Sequence, residues 1–286
     1  MMNDNKNING TDISQQIKND VKLDVEKLIS QGITPKLTVV IVGENPASLT
    51  YVASKERQAK EIGMNSNVIR LPEESSQKEL LGIIEELNND STVHGILVQL
   101  PVPKQINEEV VINAISPDKD VDGLHPVNLG KLVLGEARLV SCTPAGVIEM
   151  LDREKIAIEG KNVVIIGRSN IVGKPLFHLF LKRNATVTVC HSKTKDLIGI
   201  SKTADILVAA IGRTKMITKE YIKLGAVVID VGINRVDGKL YGDVDYEDVL
   251  PFVSRITPVP RGVGPMTIAM LLKNTITAAK TQHNIK

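Results

Sequence analysis

Apolar residues along the chain alternate between helical and strand spacing. Ile17, Val21, Leu23, Val25, Leu28 and Ile29 recur with helical periodicity and predict a helix over 13–30. Residues 37–42 form a continuous apolar run closed by Gly43, which reads as a buried strand. A helix follows over 46–62, with Pro46 in its first turn, where a missing N–H costs nothing. A strand over 67–71, a helix over 77–87, a buried strand over 95–100 and a short helix over 107–115 complete this series. A turn-rich segment over 116–123 leads to a second series that begins near Thr143. Its strands are expected at 163–166, 186–190, 206–210 and 227–231, and its helices at 172–182, 196–201 and 218–223. A last helix is expected over 265–280.

Strand–helix alternation in both halves predicts an α/β fold of two domains, each with a parallel sheet covered by helices. The expected division is a first domain over 1–140, on which the C-terminal helix (about 265–286) packs back, and a Rossmann-like dinucleotide-binding domain over 141–264. Two such domains in one chain usually set the active site in the cleft between them.

The strongest chemical signal follows the apolar run Val163-Val164-Ile165-Ile166. It is Gly167-Arg168-Ser169-Asn170-Ile171-Val172-Gly173-Lys174-Pro175. A buried strand ending in glycine, then a loop and a helix N-terminus, is how a dinucleotide pyrophosphate is held. The spacing is not G-x-G-x-x-G, so the loop draws weight from its surroundings. An NAD site places an acidic residue about 20 residues on, at the end of the second strand, against the ribose 2′-hydroxyl. Here that strand runs into His191-Ser192-Lys193-Thr194, with no acid there. Small hydroxyls beside Lys193, Lys195 and Arg168 suit a 2′-phosphate, which favours NADP over NAD. Gly212 and Gly232 stand at the ends of the next two strands, where they either admit the cofactor or serve as turn glycines.

Composition narrows the partners. A net charge of +2 over 286 residues implies no nucleic-acid partner, and 2% aromatic residues without tryptophan give no base-stacking platform. No apolar run approaches the roughly 18 residues that a membrane span needs. The N-terminal MMNDNKNINGTD is polar and does not read as a secretory signal. Cys142 and Cys190 form neither a metal spacing nor a disulfide framework, so no metal is expected and a reduced, cytoplasmic chain is the simplest reading.

A second cluster lies in the first half. Tyr51 and Lys55 are four apart on the helix from Pro46, with Ser48 three before Tyr51, so the three share a side. Lysine on a helix is ordinarily solvated and Tyr51 could simply pack. Gln99 changes the balance, because a polar amide at the carboxyl end of a buried strand needs partners and lies where ligands bind. A lysine near it in a closing cleft would have a lowered pKa and serve as acid or base. Asp122-Gly123 could hold a ligand's amino-pyrimidinone edge, but on the residues alone it reads as turn chemistry.

Taken in order, several segments carry a family resemblance. They are Pro46-Ala47-Ser48-Leu49-Thr50-Tyr51-Val52 with Lys55, Gly95-Ile96-Leu97-Val98-Gln99-Leu100-Pro101-Val102-Pro103, and Asp118-Lys119-Asp120-Val121-Asp122-Gly123 with Asn128. Then come Cys142-Thr143-Pro144-Ala145-Gly146, the glycine loop, His191-Ser192-Lys193-Thr194, Gly242-Asp243-Val244-Asp245, and Thr257-Pro258-Val259-Pro260-Arg261-Gly262-Val263-Gly264-Pro265-Met266-Thr267. Over nearly its whole length the chain resembles the bifunctional methylenetetrahydrofolate dehydrogenase/cyclohydrolase family. The resemblance implies NADP-dependent oxidation of 5,10-methylenetetrahydrofolate to the methenyl form and hydrolysis of that to 10-formyltetrahydrofolate. It implies Lys55 as the acid/base of hydrolysis, Gln99 as its hydrogen-bond partner keeping it partly unprotonated, Tyr51 stacked on the folate and Asp122 on the pterin edge. Ser48, Val98, Leu100, Pro101, Gly262 and Pro265 would line the substrate. Gly167, Arg168, Ser169, Gly173, Pro175, His191, Ser192, Thr194, Gly212, Gly232 and Ile233 would hold NADP. A homodimer through the cofactor domain is also implied.

Two positions depart from the family pattern. Ser141 stands where proline is common, and Arg261 where the first of two glycines is common. If that glycine has a positive φ, arginine is strained there and its side chain bears on activity. A dehydrogenase without the hydrolytic step, or a non-catalytic NADP- or folate-binding protein, are the competing readings.

Overall fold

The structure, a computed structural model, describes residues 6–285, so the first five residues of the polar N-terminal stretch lie outside it. The chain forms two compact units. One consists of Gln16–Cys142 with Ile268–Lys286, the other of the residues up to Gln15 with Thr143–Thr267. This differs from the division expected over 1–140 and 141–264. The N-terminal stretch groups with the later unit because Ile8 N–H donates to Ile256 O at 2.8 Å and Asn7 bridges Ile256.

The chain enters the first unit within helix α1 (Gly10–Ser30), followed by strand β1 (Lys36–Val42) and α2 (Pro46–Glu61). Next come β2 (Asn65–Leu71), α3 (Gln77–Asn89), β3 (Gly95–Val98), α4 (Glu108–Ala114) and α5 (Pro126–Val133). The three strands pair in parallel in the order β2-β1-β3. Strand β1 is buried over Leu37–Val42, which is why its sequence is apolar apart from Thr38 rather than alternating. Val40, Val42, Ile96 and Val98 pack with Leu80 and Ile84 of α3 and Val111 of α4 into one core. Helix α3 starts at a capping box in which Ser76 and Glu79 satisfy each other's backbone N–H. Its other end is closed by the Lys119 ammonium, which donates to the carbonyls of Leu87, Asn88 and Asp90 at 2.7–2.9 Å. A cation on the carbonyls at a helix C-terminus is favourable, and it fastens the segment leading to Asp122.

The second unit begins its main run with α6 (Cys142–Arg153), β4 (Asn162–Ile166), α7 (Gly173–Lys182), β5 (Thr186–Cys190), α8 (Leu197–Ser201), β6 (Ile206–Ala209) and β7 (Val227–Asp230). An antiparallel hairpin of β8 (Asn234–Val236) and β9 (Lys239–Tyr241) follows, then α9 (Tyr246–Val249) and β10 (Arg255–Ile256), and the last helix α10 (Gly264–Gln282) starts in this unit and from Ile268 onward belongs to the first. Five parallel strands are ordered β10-β7-β6-β4-β5, so the chain reverses direction across the sheet at β4. Ligands bind at the carboxyl ends of strands at such a switch point. The helix expected over 218–223 is only a 3-10 turn, Lys219–Tyr221, since a three-residue turn suffices to lead into β7.

Candidate active site

In the first unit, Asn45 caps α2 by accepting from the N–H groups of Ala47 and Ser48. The buried stripe of the helix is Ser48, Val52, Lys55 and Ala59. Lys55 is therefore turned inward and is only 8% exposed, whereas Tyr51, outside that stripe, is 51% exposed. The lysine Nζ donates to Gln99 Oε1 at 2.9 Å. Strand β3 ends at Val98, one pair short of the expected strand end, but Gln99 N–H still donates to Val40 O. Its side-chain amide donates in turn to Leu100 O at 2.7 Å, which fixes the carbonyl oxygen toward the lysine.

Asp122 reaches the same end of the sheet because residues 119–121 run beside β3. Ile96 N–H donates to Lys119 O, and Ile96 bridges Asp120 in parallel. The turn chemistry read for Asp122 belongs to Asp120 instead. Asp120 accepts from Gly123 N–H, His125 N–H and the Asn128 amide at 2.8–3.1 Å. Asp122 is not drawn into that turn and lies close enough to Lys55 for their charges to interact, while the Cys142 thiol donates to Val121 O at 3.3 Å.

Burial pushes the Lys55 ammonium below its ordinary pKa, while the Asp122 and Cys142 charges oppose the shift. Burial likewise raises Asp122, and Asp120 adds to this. Desolvation, not Gln99, is what favours the neutral amine; a carbonyl acceptor orients the amine without selecting its unprotonated form. A desolvated amine, a fixed acceptor and a nearby carboxyl together have the chemistry that proton transfer requires. Val98 lies in the core, Leu100 is half-buried and Pro101 exposed.

In the second unit, a cavity of about 300 Å³ lies at the carboxyl end of β4. It brings together Gly167, Arg168, Ser169, His191 and Ser192. Gly167 has φ +136°, and a Cβ there would lie 2.2 Å from Ala210 O, so the strand end admits glycine alone. Ser169 Oγ accepts from Val172 N–H and Gly173 N–H at 3.2 and 3.5 Å, ordering the loop over the start of α7. A Cβ on Gly173 would strike Gly167 O at 2.1 Å, so this glycine and buried Pro175 serve packing of helix against strand.

Other expected cofactor residues do not line the cavity. Thr194 Oγ1 accepts from His191 N–H at 2.9 Å and holds the turn after β5. Gly212 and Gly232 end β6 and β7 outside the lining, and Ile233, 48% exposed, approaches Gly264, which precedes Pro265. Gly262 is buried with Pro258 O 2.3 Å from a Cβ there. The cavity also holds Arg213 and Met216, which sequence reasoning missed. Arg213 directly follows Gly212 at a strand end, and that position was the available signal.

The residues fit a phosphorylated dinucleotide: glycine backbone at a helix start, with Arg168 and Arg213 and no acid in the lining. Asp196, the first acid after β5, caps α8 by accepting from Gly199 N–H. Arg261 has φ +79° and an exposed side chain, so the strain expected of a side chain at this position is present.

A family model described as the tetrahydrofolate dehydrogenase/cyclohydrolase catalytic domain matches residues 8–122, and the NAD(P)-binding domain of the same family matches 141–283. The chain belongs to the tetrahydrofolate dehydrogenase/cyclohydrolase family. It is 58% identical over 280 residues to the bifunctional protein FolD of Oceanobacillus iheyensis, covering 98% of each chain. With the bifunctional protein FolD of Enterococcus faecalis the identity is 55%, covering 96% of this chain and 98% of the other. The crystal structure of the Campylobacter jejuni FolD methylenetetrahydrofolate dehydrogenase/cyclohydrolase superposes with a TM-score of 0.94 at 48% identity, covering 96% and 98%. The Trypanosoma brucei family member, solved with NADP cofactor and an inhibitor, gives 0.91 at 38%, covering 96% and 97%. The protein is thus a bifunctional enzyme of folate one-carbon metabolism, and both halves of the family pattern are present in one chain.

Proposed function

We propose that Lys55, Gln99 and Asp122 perform the hydrolytic chemistry and that the cavity after β4 holds NADP. The reaction is oxidation of 5,10-methylenetetrahydrofolate to the methenyl form, then hydrolysis to 10-formyltetrahydrofolate. The observation that carries the reading is a buried lysine whose Nζ rests on Gln99 Oε1 at 2.9 Å. NADP, when bound, supplies the hydride acceptor. Gly167, Arg168, Ser169, His191 and Ser192 bind and orient it, and orientation is most of what hydride transfer needs. In hydrolysis, neutral Lys55 takes a proton from the water that adds to the methenyl carbon. As ammonium, it returns that proton to the folate nitrogen whose bond to carbon breaks, while the adduct's hydroxyl proton is released to solvent as the formyl C=O forms. Gln99 keeps the amine aimed, and Asp122 holds the pterin edge, with Ser48 and Tyr51 against the substrate.

The engagement of Asp196 as a helix cap supports NADP over NAD, because it leaves no acid for a ribose 2′-hydroxyl. The assembly is a homodimer formed through the cofactor unit, where Ile233 and Val236 expose apolar surface, and the site of action is the cytoplasm. Sedimentation at micromolar concentration tests the dimer. Among the described residues no helix is long and apolar enough to cross a membrane. The deciding experiment is Lys55→Met. It is expected to lower hydrolysis by about 10²-fold or more while NADP affinity stays within about threefold. Equal hydrolysis by the variant and the parent overturns the assignment. Parallel assays with NADP and NAD test the cofactor reading.

A further inference from the structure

Asp243, in the loop between β9 and α9, is fully buried and receives four hydrogen bonds on its carboxylate. Oδ2 accepts from the backbone N–H of Ile211 at 2.6 Å and of Gly212 at 2.9 Å. Oδ1 accepts from Arg213 N–H and from the Asn234 amide, both at 2.9 Å. Three successive amides of the loop after β6 therefore end on one side chain. Two of those residues, Ile211 and Arg213, form the wall of the cavity after β4. Asn234 directly follows Ile233, so the loop after β7 is tied to the same carboxylate. The approach is close enough that a Cβ on Gly232 would lie 2.2 Å from Oδ1. Asp243 is held in turn, since its own N–H donates to Asp230 Oδ1 at 2.9 Å.

An ionised acceptor serving several backbone donors makes strong, short bonds and leaves the loop one conformation. With its oxygens spoken for and no exposed surface, Asp243 has nothing left with which to touch a ligand. We propose that Asp243 is a positioning residue of the dehydrogenase, setting the loops after β6 and β7 so that Ile211 and Arg213 face the bound dinucleotide. This rests on NADP occupying that cavity.

The test is Asp243→Asn in the full chain. The amide keeps the shape but replaces one acceptor oxygen by a donor, which strands at least one loop N–H. The NADP dissociation constant and KM are expected to rise at least tenfold. Dehydrogenase kcat/KM for NADP is expected to fall at least tenfold more than methenyltetrahydrofolate hydrolysis measured without cofactor. Should that variant fold poorly, Asn234→Ala removes a single donor and is expected to move the NADP KM in the same direction, by less. A purely scaffolding Asp243 would lower thermal stability and both activities in parallel, with no separate rise in NADP KM, and that result overturns the proposal. Arg168→Ala separates the two layers. If it leaves NADP binding unchanged, the cavity assignment has failed. If it weakens NADP while Asp243→Asn and Asn234→Ala do not, the inference alone has failed.

Discussion

Lys55 Nζ and Gln99 Oε1 meet at 2.9 Å although they come from different elements, a helix and the end of a strand. The contact is neutral on the glutamine side, and this neutrality matters. A carboxylate at the same distance would stabilise the ammonium and undo what burial achieves. Gln99→Glu is therefore expected to move the ascending, acid-side limb of the hydrolysis pH profile to higher pH. Each unit of that shift lowers activity near neutral pH by about tenfold. Profiles of the parent and variant that overlie would count against Lys55 as the titrating base.

Gly167→Ala adds one carbon where Ala210 O already stands at 2.2 Å, on a backbone at φ +136°. The strand end must shift, and with it the cavity wall at Arg168. NADP binding measured by calorimetry is expected to weaken by more than tenfold, with the folded state destabilised by about 1–3 kcal/mol.

Arg261 sits at φ +79° with its side chain exposed. Arg261→Gly removes the left-handed penalty of roughly 1–2 kcal/mol but adds the roughly 0.5–1 kcal/mol that glycine loses in freedom on folding. A net gain of about 0.5–1 kcal/mol is expected in urea denaturation. A variant less stable than the parent would mean that the arginine makes a contact worth more than its strain.

Burial raises the Asp230 carboxyl to about 7, with Asp243 adding to the rise and the N–H groups of Val244, Asp243 and Gly232 opposing it. Lys215, Asp245 and Glu247 line the neighbouring cavity. Above its unfolded pKa near 3.8 the unfolded chain has released this proton while the folded one keeps it until about pH 7. The contribution is thus present below about pH 4 and is lost as pH rises to about 7. Comparing the urea midpoint of the parent with that of Asp230→Asn from pH 5 to 8 isolates it. The difference between them is expected to change across that range, and a constant difference refutes the raised carboxyl.

Strands β1, β4, β6 and β7 were legible because a parallel strand buried on both faces is a nearly uninterrupted apolar run, and the edge strand β5, Thr186-Val187-Thr188-Val189-Cys190, by its period-2 alternation. Lys55 and Gln99 were legible as polar exceptions on apolar elements. The Asp120–Asp122 exchange of roles was not, because two carboxylates two residues apart differ only in which backbone N–H groups reach them. Likewise α5 and the β8–β9 hairpin are short, and their apolar residues are partly exposed, so neither has a period to detect. Arg213 and Asp243 escaped notice as site residues for another reason. One joins the cavity, and the other its supporting loop, through contacts made some thirty residues away along the chain.

The pairing of Ile8 with Ile256 has a temporal side. Lys6, near the start, donates to the carbonyl of Leu250, a partner 244 residues further on. During synthesis residues 6–8 leave the ribosome long before the edge they complete exists. The five-stranded sheet can assemble from residues after Thr143, but it stays open at β10 until residues 7 and 8 return to it. Closing so long a loop costs little extra free energy yet slows the search. Residues 6–8 are therefore among the last parts of the second unit to find their place.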